Sequence, residues 1–204
     1  MKCTVDYFYS PLSPFTYLGH PGLLSTIART GALLRHRPVR LGEVFAASGG
    51  VPLSQRPPQR RAYRLAELRR VADHLGLPIV LEPKHFPTDD TLAAGMIIAA
   101  QDLGAGDGLD VDALAFAFMR ALWAEDKNMA DEEVCAACAT FAGFDADTLI
   151  TAARRPEVEE TRAQTTREAI DRGVFGAPTY ALGDELFWGQ DRVEYLERAI
   201  VRQG

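Results

Sequence analysis

The sequence predicts an α/β fold interrupted by an all-helical insertion. Three observations carry this. Residues 3–39 show strand, helix and strand patterns in turn. Residues 42–172 carry helical periodicity almost throughout. After Gly173 the period returns to two, and a short hairpin pattern and a final helix close the chain.

Residues 3–9 are rich in β-branched and aromatic types and predict a buried strand. Ser13 suits a helix N-cap, and Pro14 suits the first helical position, where a missing N–H costs nothing. Gly19, Pro21 and Gly22 predict a kink or break in that helix. The apolar pattern resumes at Leu23, Leu24, Ile27 and Ala28, and Gly31 is a natural C-cap. Residues 32–39 read as a second strand, which the crossover rule makes parallel to the first. Helices are predicted over 59–75, 90–103, 110–125, 131–142, 145–153 and 156–172. Residues 49–58 read as a loop, and Gly104 to Gly108 as a short linker. Thr179–Leu182 and Glu185–Trp188 flank Gly183-Asp184, a hairpin turn signal. A last helix is predicted over 190–202, with Leu196, Ala199 and Ile200 on one face.

The order β-α-β, helical block, β-β-α is that of a thioredoxin-like fold with an inserted all-helical domain. One domain is then discontinuous, comprising 1–41 and 173–204, with 42–172 as the helical insertion. In this arrangement Ser13 stands at the strand-to-helix junction where a redox cysteine would otherwise sit.

The chain has 204 residues, 47% of them hydrophobic and 25% charged, ordinary for a globular protein with a good core. A net charge of -6 argues against nucleic acid as the main partner, which needs a basic field. No run of about 18 apolar residues is present, so no transmembrane helix is predicted. The first residues enter a strand pattern directly, with no secretory signal, so a cytoplasmic location is expected. Three cysteines fit a reducing compartment better than a disulfide scaffold.

Two distant segments carry the chemistry. A serine at a helix N-terminus faces free backbone N–H groups and the positive end of the macrodipole. A thiolate held there is stabilised, and the Ser13 hydroxyl can donate to its sulfur without itself being oxidised. The same residue also reads as a plain N-cap. Ala177-Pro178 enters a strand, and a cis bond there would expose the Ala177 backbone to an extended peptide; an ordinary trans proline is the alternative. In Phe187-Trp188-Gly189-Gln190-Asp191-Arg192, Asp191 can cap the final helix or accept from an ammonium, and Gly189 permits close backbone approach.

Three segments together resemble the 2-hydroxychromene-2-carboxylate isomerase family, close to kappa-class glutathione transferases within the disulfide-oxidoreductase superfamily. They are Leu12-Ser13-Pro14-Phe15-Thr16-Tyr17-Leu18, Gly173-Val174-Phe175-Gly176-Ala177-Pro178-Thr179 and Phe187 to Arg192. Arg37-Pro38-Val39-Arg40-Leu41-Gly42 and Phe86-Pro87-Thr88 fit the same pattern. The resemblance spans nearly the whole chain. It implies a glutathione-dependent enzyme of aromatic compound catabolism, of the naphthalene-degradation type, and a homodimer. Ser13 would keep the glutathione sulfur as a thiolate. Ala177 and Pro178 would hold the cysteinyl backbone, and Trp188, Gly189, Gln190 and Asp191 the γ-glutamyl end. In the family reaction the thiolate adds to a conjugated chromene carboxylate, a bond rotates, and glutathione is expelled to leave an open aromatic 2-oxo acid. On the substrate side the resemblance points to Phe45, Gln55, Arg56 and Phe86. The chain departs from naphthalene-pathway relatives in having Phe45 where they offer a lysine, and Asp89 and Asp90 where many carry asparagine. Arg56 can meet a carboxylate through its bidentate fork, or be a solvated surface arginine.

Other groups read as structural. Cys135 and Cys138 have dithiol spacing but lie inside a helical pattern, with no second pair and no nearby histidine; they read as small buried apolar residues. His20, His36, His74 and His85 are scattered without metal spacing. Arg60, Arg61, Arg64, Arg69 and Arg70 read as a solvated helix face interleaved with Leu65, Leu68, Val71 and Ala72. Three alternatives to the isomerase stay open. They are a kappa-like transferase or peroxidase that consumes glutathione, a non-catalytic thiol- or peptide-binding module, and a thiol–disulfide oxidoreductase using Cys135 and Cys138.

Overall fold

A computed structural model describes residues 3–103 and 110–203. The expected linker Gly104 to Gly108 lies outside the described residues. A four-stranded sheet has the order β2-β1-β3-β4, with β1 Thr4–Tyr9, β2 Leu33–Pro38, β3 Thr179–Leu182 and β4 Glu185–Trp188. Strand β1 pairs parallel with β2 (Tyr7 opposite His36) and antiparallel with β3 (Tyr7 opposite Tyr180). Strand β3 pairs antiparallel with β4, closing the hairpin through Gly183 at φ 58°.

The β-branched and aromatic run of β1 suits a central strand, and its residues from Val5 onward are buried. Successive side chains leave on opposite faces. Tyr7 and Tyr9 face a core that includes Leu18, Leu23, Met96, Phe118 and Trp123. Phe8 faces the other way, into a smaller cluster with Val39, Val44, Ala169, Val174 and Ala181. Each such fully buried large side chain contributes about 1.5–3 kcal/mol.

Helix α1 spans Pro14–Thr30. Ser13 caps it by accepting from the Thr16 N–H at 3.2 Å, and Gly31 ends it in the left-handed conformation. The predicted break at Gly19–Gly22 is not there, and α1 runs unbroken through Pro21. Proline deletes a single backbone donor, and Gly19 serves packing instead. A Cβ at Gly19 would meet Gln190 Cβ at 2.9 Å and the Tyr180 hydroxyl at 3.0 Å.

Between β2 and β3 lie α2 Leu41–Ser48, a 3-10 turn Leu53–Gln55, α3 Pro58–Leu75, α4 Thr91–Asp102, α5 Val111–Trp123, α6 Glu132–Phe141, α7 Ala146–Ala153 and α8 Pro156–Asp171. Helix α2 was not anticipated. Helix α4 is apolar all round, buried from Ala93 to Ala100, and forms the centre of the helical block. Gly95 allows α7 to approach closely, since a Cβ there would lie 3.0 Å from the Ala153 carbonyl oxygen. The final helix α9 spans Val193–Gln203, and the expected start at 190 is instead a 3-10 turn, Gln190–Arg192. This is a thioredoxin-like fold with a helical insertion. No described helix is long and apolar enough to cross a membrane.

Candidate active site

The turn after β1 presents the N-terminus of α1. Ser13 is only 6% exposed. Its hydroxyl accepts from Thr16 N–H and donates to the Ala177 carbonyl oxygen at 3.3 Å. The first turn of α1 holds no acidic side chain, so its dipole is not offset by a charge. Pro14 has no N–H, Thr16 N–H bonds Ser13 Oγ and Tyr17 N–H the Ser13 carbonyl, so among the described residues the Phe15 N–H is the one left without a partner in this turn. The Ala177-Pro178 bond is cis. Pro178 is buried and Ala177 is partly exposed.

The third predicted segment joins through the sheet. Thr179 sits opposite Trp188, and the Gly189 N–H donates to the Pro178 carbonyl at 2.9 Å. Gly189 holds φ at 118°, which glycine tolerates and other residues resist, and a Cβ there would lie 2.7 Å from Asp191 Oδ1. Trp188 is half-exposed and packs on Phe175, with ring centroids 4.6 Å apart. Gly176 lies under the Trp188 indole, where a Cβ would meet Nε1 at 2.4 Å. Gln190 packs against Gly19 of α1. The structure thus brings together Ser13, Ala177, Pro178, Trp188, Gly189 and Gln190. Asp191 makes no capping hydrogen bond, which corrects one expectation; it lies within the 3-10 turn, and its exposed carboxylate faces Arg192 at 3.2 Å.

The substrate-side expectations separate. Phe45 and Arg56 come together, with the guanidinium 5.9 Å from the ring centroid, and Arg56 Nε donates to the Val51 carbonyl at 2.7 Å. Gln55 is exposed in the 3-10 turn. Phe86 is part-buried and packs on Trp123, with centroids 4.9 Å apart. The Phe86-Pro87 bond is also cis, which was not foreseen.

Asp90, one of the two acids in place of asparagine, is 9% exposed. It accepts from Ser10 Oγ at 3.0 Å and from Arg162 at 2.7 Å. Ser10 Oγ also accepts from the Leu12 N–H at 3.2 Å. The segment carrying Phe86 is therefore fastened to the turn that presents Ser13. Asp89 accepts from the Thr91 N–H and hydroxyl at the start of α4.

Two sequence readings of charged and thiol groups are settled by burial. Arg64 is not part of a solvated face: it is half-buried against Phe86 and Trp123, and desolvation first, then neighbouring Arg56, pushes its pKa down to about 10. Its sequence neighbours hid it, because Arg60, Arg61, Arg69 and Arg70 are exposed. Cys135 and Cys138 are buried, and burial pushes both thiols up to about 12, so neither is a redox centre of the usual low-pKa kind. No described cluster of His, Cys, Asp or Glu could hold a metal ion. A cavity of about 520 Å³ opens between α5 and α6, lined by Phe116, Arg120, Lys127, Cys138 and Phe141 among others. None of the predicted site residues lines it.

Comparison with known proteins agrees with this architecture. The chain is 29% identical to a 2-hydroxychromene-2-carboxylate isomerase of Sphingobium xenophagum over 202 residues, covering 98% of this chain and 100% of that one. It is 28% identical to human glutathione S-transferase kappa 1 over 212 residues, covering 97% and 90%. A solved 2-hydroxychromene-2-carboxylate isomerase superposes with a TM-score of 0.77 at 29% identity, covering 98% of this chain and 95% of that chain. The family model of the DSBA-like thioredoxin domain matches residues 4–201, and the chain belongs to that family.

Proposed function

We propose that this protein is a glutathione-dependent isomerase of 2-hydroxychromene-2-carboxylate-like intermediates of aromatic degradation. The observation that carries the reading is Ser13: a buried hydroxyl at an uncompensated helix N-terminus, 3.3 Å from the carbonyl before a cis proline. The isomerases and the kappa transferase similar to this chain support the same reading.

The residues present fit glutathione. The positive end of the α1 dipole, the Phe15 N–H and a hydroxyl donor suit an anionic sulfur. The Ala177 backbone suits a peptide, and Gly189 supplies the positive φ that lets the chain turn beside Asp191. Bound glutathione supplies a thiolate nucleophile that adds reversibly to a conjugated acceptor. Ser13 turns its O–H from the Ala177 carbonyl toward the sulfur. Ala177 and Pro178 hold the cysteinyl backbone, and Trp188, Gly189, Gln190 and Asp191 hold the γ-glutamyl end. Phe45, Gln55, Arg56 and Phe86 flank the substrate. The protein acts as a cytoplasmic homodimer; three free cysteines fit a reducing compartment.

The test is a spectrophotometric assay with 2-hydroxychromene-2-carboxylate, with and without catalytic glutathione. Isomerisation that needs glutathione but does not consume it supports the reading. A second reading, a kappa-like transferase or peroxidase, is favoured by the similarity to glutathione S-transferase kappa 1. It predicts stoichiometric loss of glutathione with an electrophile. Absence of turnover and of glutathione binding would return the protein to a binding module.

A further inference from the structure

Arg64 leaves α3 into an aromatic corner. Its guanidinium carbon lies 5.7 Å from the Phe86 centroid and 5.8 Å from that of Trp123. Elsewhere on the helix Arg70 pairs with Glu67. Among the described residues no carboxylate hydrogen-bonds Arg64, and Glu82 acts on it only through space. Arg56 is near enough to disfavour its charge further. The two aromatic rings stabilise this cation in part, but among the described residues no anion at hydrogen-bond distance neutralises it where it is half-buried. An anion bound between the two arginines would offset both the burial and the repulsion, and a planar guanidinium over aromatic rings suits a flat carboxylate.

The corner is also connected to the Ser13 turn. Asp90, four residues after Phe86, accepts from Ser10, three residues before Ser13. The Tyr17 hydroxyl of α1 donates to the Pro78 carbonyl at 2.8 Å, fixing the segment between α3 and Phe86.

We propose that Arg64, with Arg56 beside it, is the subsite that receives the carboxylate of an aromatic acid, whose ring lies between Phe45 and Phe86. The choice of an aromatic acid rests on the isomerase reading; the anion subsite does not.

The test is calorimetry without glutathione, using 2-naphthoate and the uncharged 2-naphthamide on wild type, Arg64→Gln and Arg64→Lys. Wild type is expected to prefer the acid over the amide. Arg64→Gln should weaken 2-naphthoate about tenfold or more, with the amide unchanged and Arg64→Lys between. An unchanged thermal midpoint and unchanged glutathione affinity in Arg64→Gln would show that the fold and the Ser13 side are intact. Equal affinity for acid and amide, no binding of either, or no effect of Arg64→Gln would overturn the proposal. So would weakened glutathione binding with unaltered 2-naphthoate binding, which would make the tripeptide the source of the carboxylate. An inactive wild type that still shows the Arg64-dependent preference would sink the isomerase reading alone.

Discussion

The Ser13 hydroxyl donates to the Ala177 carbonyl oxygen at 3.3 Å, across 164 residues of chain. One hydrogen bond thus ties the start of α1 to the loop of the cis proline. The same oxygen caps the helix through Thr16, so the proposed chemical role falls on an atom that also has a structural one.

Ser13→Ala separates those roles by magnitude. Losing the cap should cost about 0.5–2 kcal/mol of stability, read as a lower urea midpoint. Losing a donor to a charged sulfur should cost about 1.5–3 kcal/mol of thiolate stabilisation, roughly 10- to 100-fold in kcat/KM. The pH profile should also move upward, because the thiolate is then formed only at higher pH. Ser13→Thr retains a hydroxyl and should recover part of both. A Ser13→Ala enzyme with an unmoved profile would detach the hydroxyl from the sulfur.

The two helical cysteines should be inert in the native protein. With both thiols raised to about 12 by burial, their thiolate fraction near pH 7 is about one part in 10^5. Titration with a chromogenic disulfide should find one promptly reactive thiol, the part-buried Cys3, and two more only after denaturation. Replacing both Cys135 and Cys138 with Ala should leave glutathione-dependent turnover intact. Insulin reduction by wild type that disappears in that double variant would favour the disulfide-oxidoreductase alternative.

Acid should weaken the fold through a buried network beneath the sheet. His20 is fully buried, and desolvation followed by the neighbouring His36 lowers its pKa from 6.5 to about 4. The unfolded chain therefore takes up its proton first, and stability falls as pH drops from about 6.5 to about 4, by on the order of a few kcal/mol. Asp112 acts in the same direction. Burial, the largest single effect, raises its pKa, but the hydrogen bond with His36 at 2.7 Å and the charges of His36 and His20 together outweigh it and lower it. Its stabilising share is present above 3.8 and is lost as pH falls through the lower folded value. Urea midpoints against pH should decline over this window, and a His20→Gln variant should decline less between 6.5 and 4. A flat profile in wild type would show that the network tolerates the proton.

Much of this site was legible because each of its parts is written locally. A serine before a proline at a strand-to-helix junction, a proline opening a strand and a glycine after one are short-range signals, and the fold supplies only their meeting. Helix α2 was not legible because it is eight residues long and Arg40 makes no side-chain cap bond to mark its start. Pro21 misled for the opposite reason: its local rule is strong, but α1 continues through it, and Gly19 beside it is explained by its close approach to Gln190. Arg64 was hidden because its burial comes from Phe86 and Trp123, which are distant in sequence.

Asp90 offers the sharpest test of how the Phe86 segment is held to the Ser13 turn. Arg162 is 3% exposed, and Asp90 is its salt-bridge partner at 2.7 Å. Removing one member of a buried pair strands the other, at a cost of about 3–5 kcal/mol. Asp90→Ala should therefore destabilise strongly, with a lower urea midpoint at every pH near neutrality. Asp90→Asn keeps an acceptor for the Ser10 hydroxyl but removes the countercharge, so it should still lose stability while losing less of the loop's attachment. Ser10→Ala does the reverse, leaving the ion pair and cutting the tether. If the tether positions the Phe86 segment for substrate, Ser10→Ala should raise KM for the chromene acid with little change in glutathione affinity or in the urea midpoint. An unchanged KM in Ser10→Ala, beside a destabilised Asp90→Asn, would confine Asp90 to neutralising Arg162.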